Sequence, residues 1–284
     1  MHNSRKNSRA RRIGVRAAVI AGTAGTVLAM AAPMASADPV AESIPGAAVC
    51  PATAESCVSV VVNSGTFENN GFNLPIGDGD MIIAAEAGSG VGDETVLLPR
   101  DDGHFGVYAK PMTVPGGVLG IDLPFNNLFG LAAVTAEVQA VDVPVFNDLI
   151  TNMDISLPVR MKINNAFLGN NCYLGSEAAP VNFHLTPTAD SSPAFEVLPS
   201  GSLKVSPVKS ATTDFAIPAA SGCGPFGVLN PIVNWRAKTP ATSGTSLNTV
   251  STAYLYPGGI DGSDPLDDLG GGTGSLGSSG SSGS

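Results

Sequence analysis

The chain has 284 residues, with 24 acidic side chains against 14 basic ones and a formal net charge of −10 at pH 7. Six of the basic residues and none of the acidic ones lie in the first 37, so removal of that stretch leaves −16, a surplus that repels phosphate backbones and anionic headgroups and argues against nucleic-acid binding and charge-driven membrane docking. With 43% hydrophobic and 13% charged residues the chain is too apolar to be wholly disordered, and 34 Gly with 22 Pro fit a turn-rich β domain.

The N-terminus reads as an export signal. Arg5, Lys6, Arg9, Arg11, Arg12 and Arg16 form a basic region, Ala17 to Ala32 an apolar one, and Ala35-Ser36-Ala37 is an A-x-A cleavage site, which places the cut between Ala37 and Asp38. The apolar run is short and broken by Pro33, unlike a membrane anchor. Gly14 and Val15 follow Arg11-Arg12 where a twin-arginine signal carries bulky hydrophobes, so the general secretory route is favoured. Ala47-Ala48-Val49 lacks the small residue that a lipoprotein site needs directly before its cysteine, here Cys50. The expected organisation is a signal peptide over 1–37, one disulfide-stapled β domain over 38–260, and an acidic, then Gly/Ser-rich flexible tail over 261–284. The expected location is secreted or extracellular, with cell-surface association as an option.

Four cysteines, Cys50, Cys57, Cys172 and Cys223, remain after the signal. An even number in an oxidising compartment predicts two disulfides, for which three connectivities exist. Cys50 and Cys57 are close enough for a local clip around Pro51, which leaves Cys172 for Cys223. Zinc would need close Cys-x-x-Cys or Cys/His pairs, and the sequence has none.

Candidate strands follow in chain order. Cys57 to Val62, Glu94 to Leu98 and His104 to Lys110 come first. Val134, Ala136, Val138 and Ala140 then alternate with polar residues before a phase slip at Val141 and Val143, which a bulge near Ala140 would explain. The clearest strand is Ile155 to Asn164, apolar at every second position; Pro158 removes a ladder donor and predicts an edge position, or regular pairing only after the proline. Val181 to Leu185, Leu203 to Val208, Thr213 to Ile217 and Leu247 to Tyr256 complete the set. Short strands separated by Gly, Pro, Asn and Ser predict an all-β fold, an antiparallel β-sandwich or barrel, with one short helical segment after Cys223 that Pro231 limits.

Little in the sequence points to catalysis. There is no G-x-S-x-G elbow. His184 falls on the polar face of its strand, and His104 follows the turn Asp101-Asp102-Gly103, on a strand face shared with Tyr108 and Lys110 that would suit a small polar ligand. Asp78 with Asp80 and Asp101 with Asp102 are ordinary turn carboxylates. Trp235 is the sole tryptophan, too few aromatics for stacking on sugars. Gly88-Ser89-Gly90-Val91-Gly92 lacks the Lys and Ser or Thr of a phosphate loop, and Asp261, Asp264, Asp267 and Asp268 lack calcium-loop spacing, so a solvated acidic linker is expected there. No catalytic, cofactor or metal residue is assigned.

The stretch Asn165-Ala166-Phe167-Leu168-Gly169-Asn170-Asn171-Cys172-Tyr173-Leu174-Gly175-Ser176, then Pro180-Val181, Ser221-Gly222-Cys223-Gly224 and Asn230-Pro231-Ile232-Val233-Asn234, resembles a largely uncharacterised family of secreted actinobacterial proteins. The resemblance covers about residues 155 to 256 and implies a stapled β fold whose apolar segment after Cys223 covers one open end of the sheets. An esterase label, carried by some relatives, would apply only if Ser176 or Ser221 met a histidine. The expected function is a secreted, non-enzymatic, envelope-associated or extracellular role in binding or structure, with a cell-envelope component or an apolar ligand as partner. The alternatives are a small lipid-ester hydrolase and an envelope pore.

Overall fold

The computed structural model describes residues 43–90, 94–117, 133–148 and 153–268, all within the compact unit Ala41–Ser284. The cleavage site at Ala37 and Asp38, residues 91 and 92 of the Gly88–Gly92 stretch and the Gly/Ser-rich tail after 268 lie outside the described residues.

The architecture is an antiparallel β-barrel. Its eight staves are β1 (Cys57–Asn69), β3 (Met81–Ser89), β4 (Thr95–Leu98), β8 (Val145–Asp148), β9 (Asp154–Asn164), β11 (Val181–Pro187), β13 (Leu203–Thr213) and β15 (Thr245–Tyr256). They pair in the circular order β1-β3-β4-β8-β9-β11-β13-β15, and β15 closes on β1. Seven outer strands extend this ring. β2 (Phe72–Ile76) pairs with β1, β5 (Val107–Ala109) with β3, and β12 (Ala194–Val197) with β13. β6 (Met112–Thr113) pairs with β7 (Thr135–Ala140), which flanks β9; β10 (Tyr173–Leu174) pairs with β9 and with β14 (Ala220–Ser221). Several staves are longer than the sequence suggests: β1 has 13 residues, β15 has 12, and β9 and β13 have 11 each.

β9 shows why the barrel forms. Ile155, Leu157, Val159, Met161 and Ile163 are all buried while Asp154, Ser156, Arg160 and Lys162 face outward. β11 repeats the pattern with Val181, Phe183 and Leu185 inside and Asn182 and His184 outside. Full burial of a residue such as Leu157 or Val159 contributes roughly 1.5–3 kcal/mol. These walls are apolar within and polar without, the reverse of a lipid-facing barrel. Phe67, Phe183 and Phe215 meet in the interior, with ring centroids 4.9 to 6.4 Å apart.

Pro158 is not at an edge. β9 lies between β11 on one side and β7 followed by β8 on the other. β7 reaches Val159 through Ala140, β8 begins at Ser156 through Val145, and the Pro158 carbonyl accepts from the Val141 N–H. The missing donor therefore falls where one partner strand hands over to the next. The predicted bulge near Ala140 is the same break, and residues 141–144 separate two strands.

The opposite face of β1 and β3 is covered by residues 44–50. Ile44, Ala47, Ala54, Cys57, Leu198 and Tyr256 form one small core, and Val49, Val61, Ile82, Ala84 and Tyr108 another. Gly46, at φ 79°, permits the close approach, since a Cβ there would lie 2.9 Å from that of Ala84. The acidic segment is also packed: Ile44 bridges Gly262, and the Asp264 carboxylate receives the Arg100 guanidinium at 2.9 Å. The fold thus extends to Asp268, beyond the linker start expected at 261. Both disulfides are formed, Cys50–Cys57 and Cys172–Cys223.

Candidate functional site

At the barrel end where β1 and β9 finish and β15 begins, the helix Asn230–Ala237 lies over the opening. Pro225 opens a 3-10 turn, Pro225–Gly227, and Pro231 sits in the first turn of the helix, where its missing N–H costs nothing. Asn69 Nδ2 donates to the Ala237 carbonyl at 2.7 Å and ties the helix to the end of β1. The Asn234 side-chain oxygen accepts from the Ala220 N–H at 2.6 Å and from the Thr239 hydroxyl at 2.9 Å.

The second disulfide joins the turn that precedes this helix to the loop 165–172. The Gly224 N–H donates to the Leu168 carbonyl at 2.8 Å, and the Cys223 N–H to Asn230 Oδ1 at 2.9 Å. Gly222 and Gly224, at φ 69° and 70°, flank the bridge, and a Cβ on Gly222 would overlap the Asn171 carbonyl oxygen.

Between helix, loop and barrel lies a cavity of about 250 Å³. Its walls are Phe72, Val114, Val134, Ile163, Leu168 and Val233, with Phe167 and Ile232 at the surface. The polar side chains on the lining are committed elsewhere. Asn165 Nδ2 donates to the Ala133 carbonyl at 2.7 Å, and its Oδ1 accepts from the Phe167 N–H. Arg236 donates to the carbonyls of Pro115 and Gly117, and its guanidinium lies 5.2 Å from the centroid of Phe72. The cavity thus presents carbon to an occupant. A second space inside the barrel, about 60 Å³ beside Ser210, Thr249 and Ser251, is much smaller.

Both histidines among the described residues, His104 and His184, have partners. His184 Nδ1 lies 3.0 Å from Ser156 Oγ, and its Nε2 lies 3.4 Å from Asp154 Oδ2. The serine beside a histidine is therefore Ser156, whereas Ser176 Oγ accepts from the Ala179 N–H and Ser221 belongs to β14. His184 of β11 thus reaches across to Ser156 and Asp154, two residues apart on β9, and Ser156 is in register with both His184 and Val145. The β9 amides serve ladders on both sides, leaving none at Ser156 to stabilise an oxyanion.

His104 sits in the turn before β5 and stacks on Tyr108, centroids 5.2 Å apart. Asp102 accepts from the His104 N–H at 2.9 Å, the Tyr108 hydroxyl at 2.8 Å and Arg100 Nε at 3.0 Å. Burial works to raise the Asp102 pKa, but these three donors prevail and hold it below the usual range. Asp264 is held low chiefly by its hydrogen bond from Arg100. Burial, then Asp102, pushes the Tyr108 phenol up. A polar recess of about 290 Å³ borders His104, Gln139, Arg160 and Glu177. Arg160 is already engaged there by Gln139 at 3.2 Å and Glu177 at 3.5 Å, and it packs over Tyr173. Asp78 and Asp80 serve the turn they occupy, accepting from Asn63 Nδ2 and the Gly77 N–H. Among the described residues no group of three or more His, Cys, Asp or Glu is placed to hold a metal.

Comparison with protein-family models, with curated proteins and with solved structures finds no match to this chain.

Proposed function

We propose that this is an exported, non-enzymatic β-barrel protein of the cell envelope or its surroundings that binds an apolar ligand at the helix-covered end of the barrel. The observation that carries this reading is the carbon-walled cavity of about 250 Å³. An apolar cavity of about 150 Å³ already accepts benzene, so this one has room for a small apolar molecule or a length of acyl chain. The signal-like N-terminus, the two disulfides and the resemblance to secreted actinobacterial proteins support export.

The test is titration with N-phenyl-1-naphthylamine, an apolar fluorescent probe, followed by displacement with fatty acids of increasing length. Saturable one-to-one binding that is lost in Val233→Phe, which fills the cavity from the buried face of the helix, is the expected result. Absence of saturable binding, or equal binding by the variant, would overturn the reading.

Ester hydrolysis is a second reading, favoured by the cluster of Ser156, His184 and Asp154. Turnover of p-nitrophenyl esters that disappears in Ser156→Ala would replace the binding role with it.

A further inference from the structure

The outer side of the same helix carries a different signal. Phe167, Phe226, Val228, Ile232 and Trp235 are 60, 106, 64, 49 and 67% exposed. Leu229, Val233 and Ala237 form the inner stripe, packed against the core. Ile232 and Trp235 lie one turn apart on the outer face, Val228 one turn before Ile232, and Phe167 meets Ile232 at the cavity mouth. Phe226 is held at φ 53°, a left-handed conformation uncommon for a bulky residue, with its whole side chain in solvent.

Charge is distributed just as unevenly. Residues 165–176 contain no Asp, Glu, Lys, Arg or His, and 215–260 contain no Asp or Glu, only Arg236 and Lys238 as charges. In a chain with 24 carboxylates these two segments are apolar, aromatic and cationic, while Glu68 near the end of β1 and Asp214 after β13 are carboxylates at the same end of the barrel. Arg236 is held by carbonyl oxygens, which leave its charge unneutralised. Carboxylates farther away than a Debye length of about 8 Å are screened at physiological salt.

We infer that this end of the barrel docks on a lipid surface bearing anionic headgroups. Phe226, Val228, Ile232, Trp235 and Phe167 enter the interface, and Arg236 and Lys238 lie at headgroup level. Amphipathic aromatic rings and basic side chains around an apolar face are what an interfacial site requires. A second copy fits less well, because a two-fold contact through this patch would bring two Arg236–Lys238 pairs together, and neither the helix nor residues 165–176 carries a carboxylate to face them. The acid excess that opposes charge-driven docking of the whole chain is not carried by the helix or by residues 165–176, where apolar contact supplies the attraction.

Trp235, the sole tryptophan, reports the event directly. Its emission is followed during titration with vesicles of phosphatidylcholine alone and of phosphatidylcholine with phosphatidylglycerol in equal parts, with flotation as a second readout. The expected result is a blue shift and flotation with the mixed vesicles, and weaker binding to phosphatidylcholine alone. Phe226→Asn with Val228→Ser should lower the partition coefficient about tenfold or more, since each removes a side chain from the interface. Asn suits a left-handed backbone, and both sites are exposed, so the melting temperature should not fall. Neither residue lines the cavity, so naphthylamine binding by this variant should be retained, and a failure of docking is distinguishable from a failure of ligand binding. No shift with either vesicle, or undiminished binding by the variant, overturns the inference. So does a blue shift that tracks protein concentration without vesicles, which would assign the patch to self-association.

Discussion

Removal of the two disulfides separately tests how the fold is held. The partners of Cys172–Cys223 lie 51 apart in sequence and those of Cys50–Cys57 seven apart. Loop-closure entropy assigns about 4 kcal/mol to the first and about 2.5 kcal/mol to the second. Alanine is the better replacement, because Cys57, Cys172 and Cys223 are fully buried and a serine hydroxyl would need a partner there. For a domain of this size each kcal/mol moves the melting temperature by roughly 2–4 °C. Cys172→Ala/Cys223→Ala should therefore melt lower than wild type by about 8–16 °C, and Cys50→Ala/Cys57→Ala by about 5–10 °C, in scanning calorimetry. The larger loss should come with loss of naphthylamine binding, since that bridge ties loop 165–172 to the turn that precedes the helix. Equal losses, or a greater loss from the smaller loop, would refute the argument that the long bridge is the main staple.

Gly222→Ala should destabilise by more than about 1 kcal/mol in urea titration, since it combines a left-handed backbone with an overlap on the Asn171 carbonyl. Leu157→Ala, at 1% exposure inside the barrel, should cost about 2–5 kcal/mol, whereas Val197→Ala on β12, at 74% exposure, should stay within about 0.5 kcal/mol. Asp102 and Asp264 titrate below their unfolded values, so the stability they contribute is present above about pH 4 and is lost as pH falls through the folded pKa values. Amides of Ile44 to Val49 should then lose hydrogen-exchange protection on acidification, and Arg100→Met should remove much of that pH dependence.

Strands with one dry face were legible in the sequence. β9 and β11 alternate because the barrel interior covers one side and water the other. β3 was missed because Met81 to Ala85 are buried on both sides, the interior on one and residues 44–50 on the other, which erases the period of two. Pro158 misled because the sequence cannot show that two partner strands meet opposite it. The short helical segment after Cys223 and the pairing of the four cysteines were readable in the sequence. The cavity was not, since its walls come from Phe72, Val114, Val134, residues 163–168 and the helix, five separate stretches. A signal for the exposed patch was present: the segment from Phe226 to Trp235 carries apolar residues beyond the stripe that one buried face needs.

The longest ladder of the barrel runs between its first and last staves, from Cys57 opposite Tyr256 to Asn69 opposite Thr245. Such pairing of sequence-distant strands bears the loop-closure cost before it gains contacts, and it favours slow folding. Until Thr245–Tyr256 has emerged, β1 and β13 each lack a neighbour, and their unpaired backbone groups form edges on which a second chain can add. Chains ending before Thr245 should therefore aggregate rather than form a smaller barrel. On the export route proposed above, the protein would then have to be kept from pairing with its neighbours until nearly all of it has crossed.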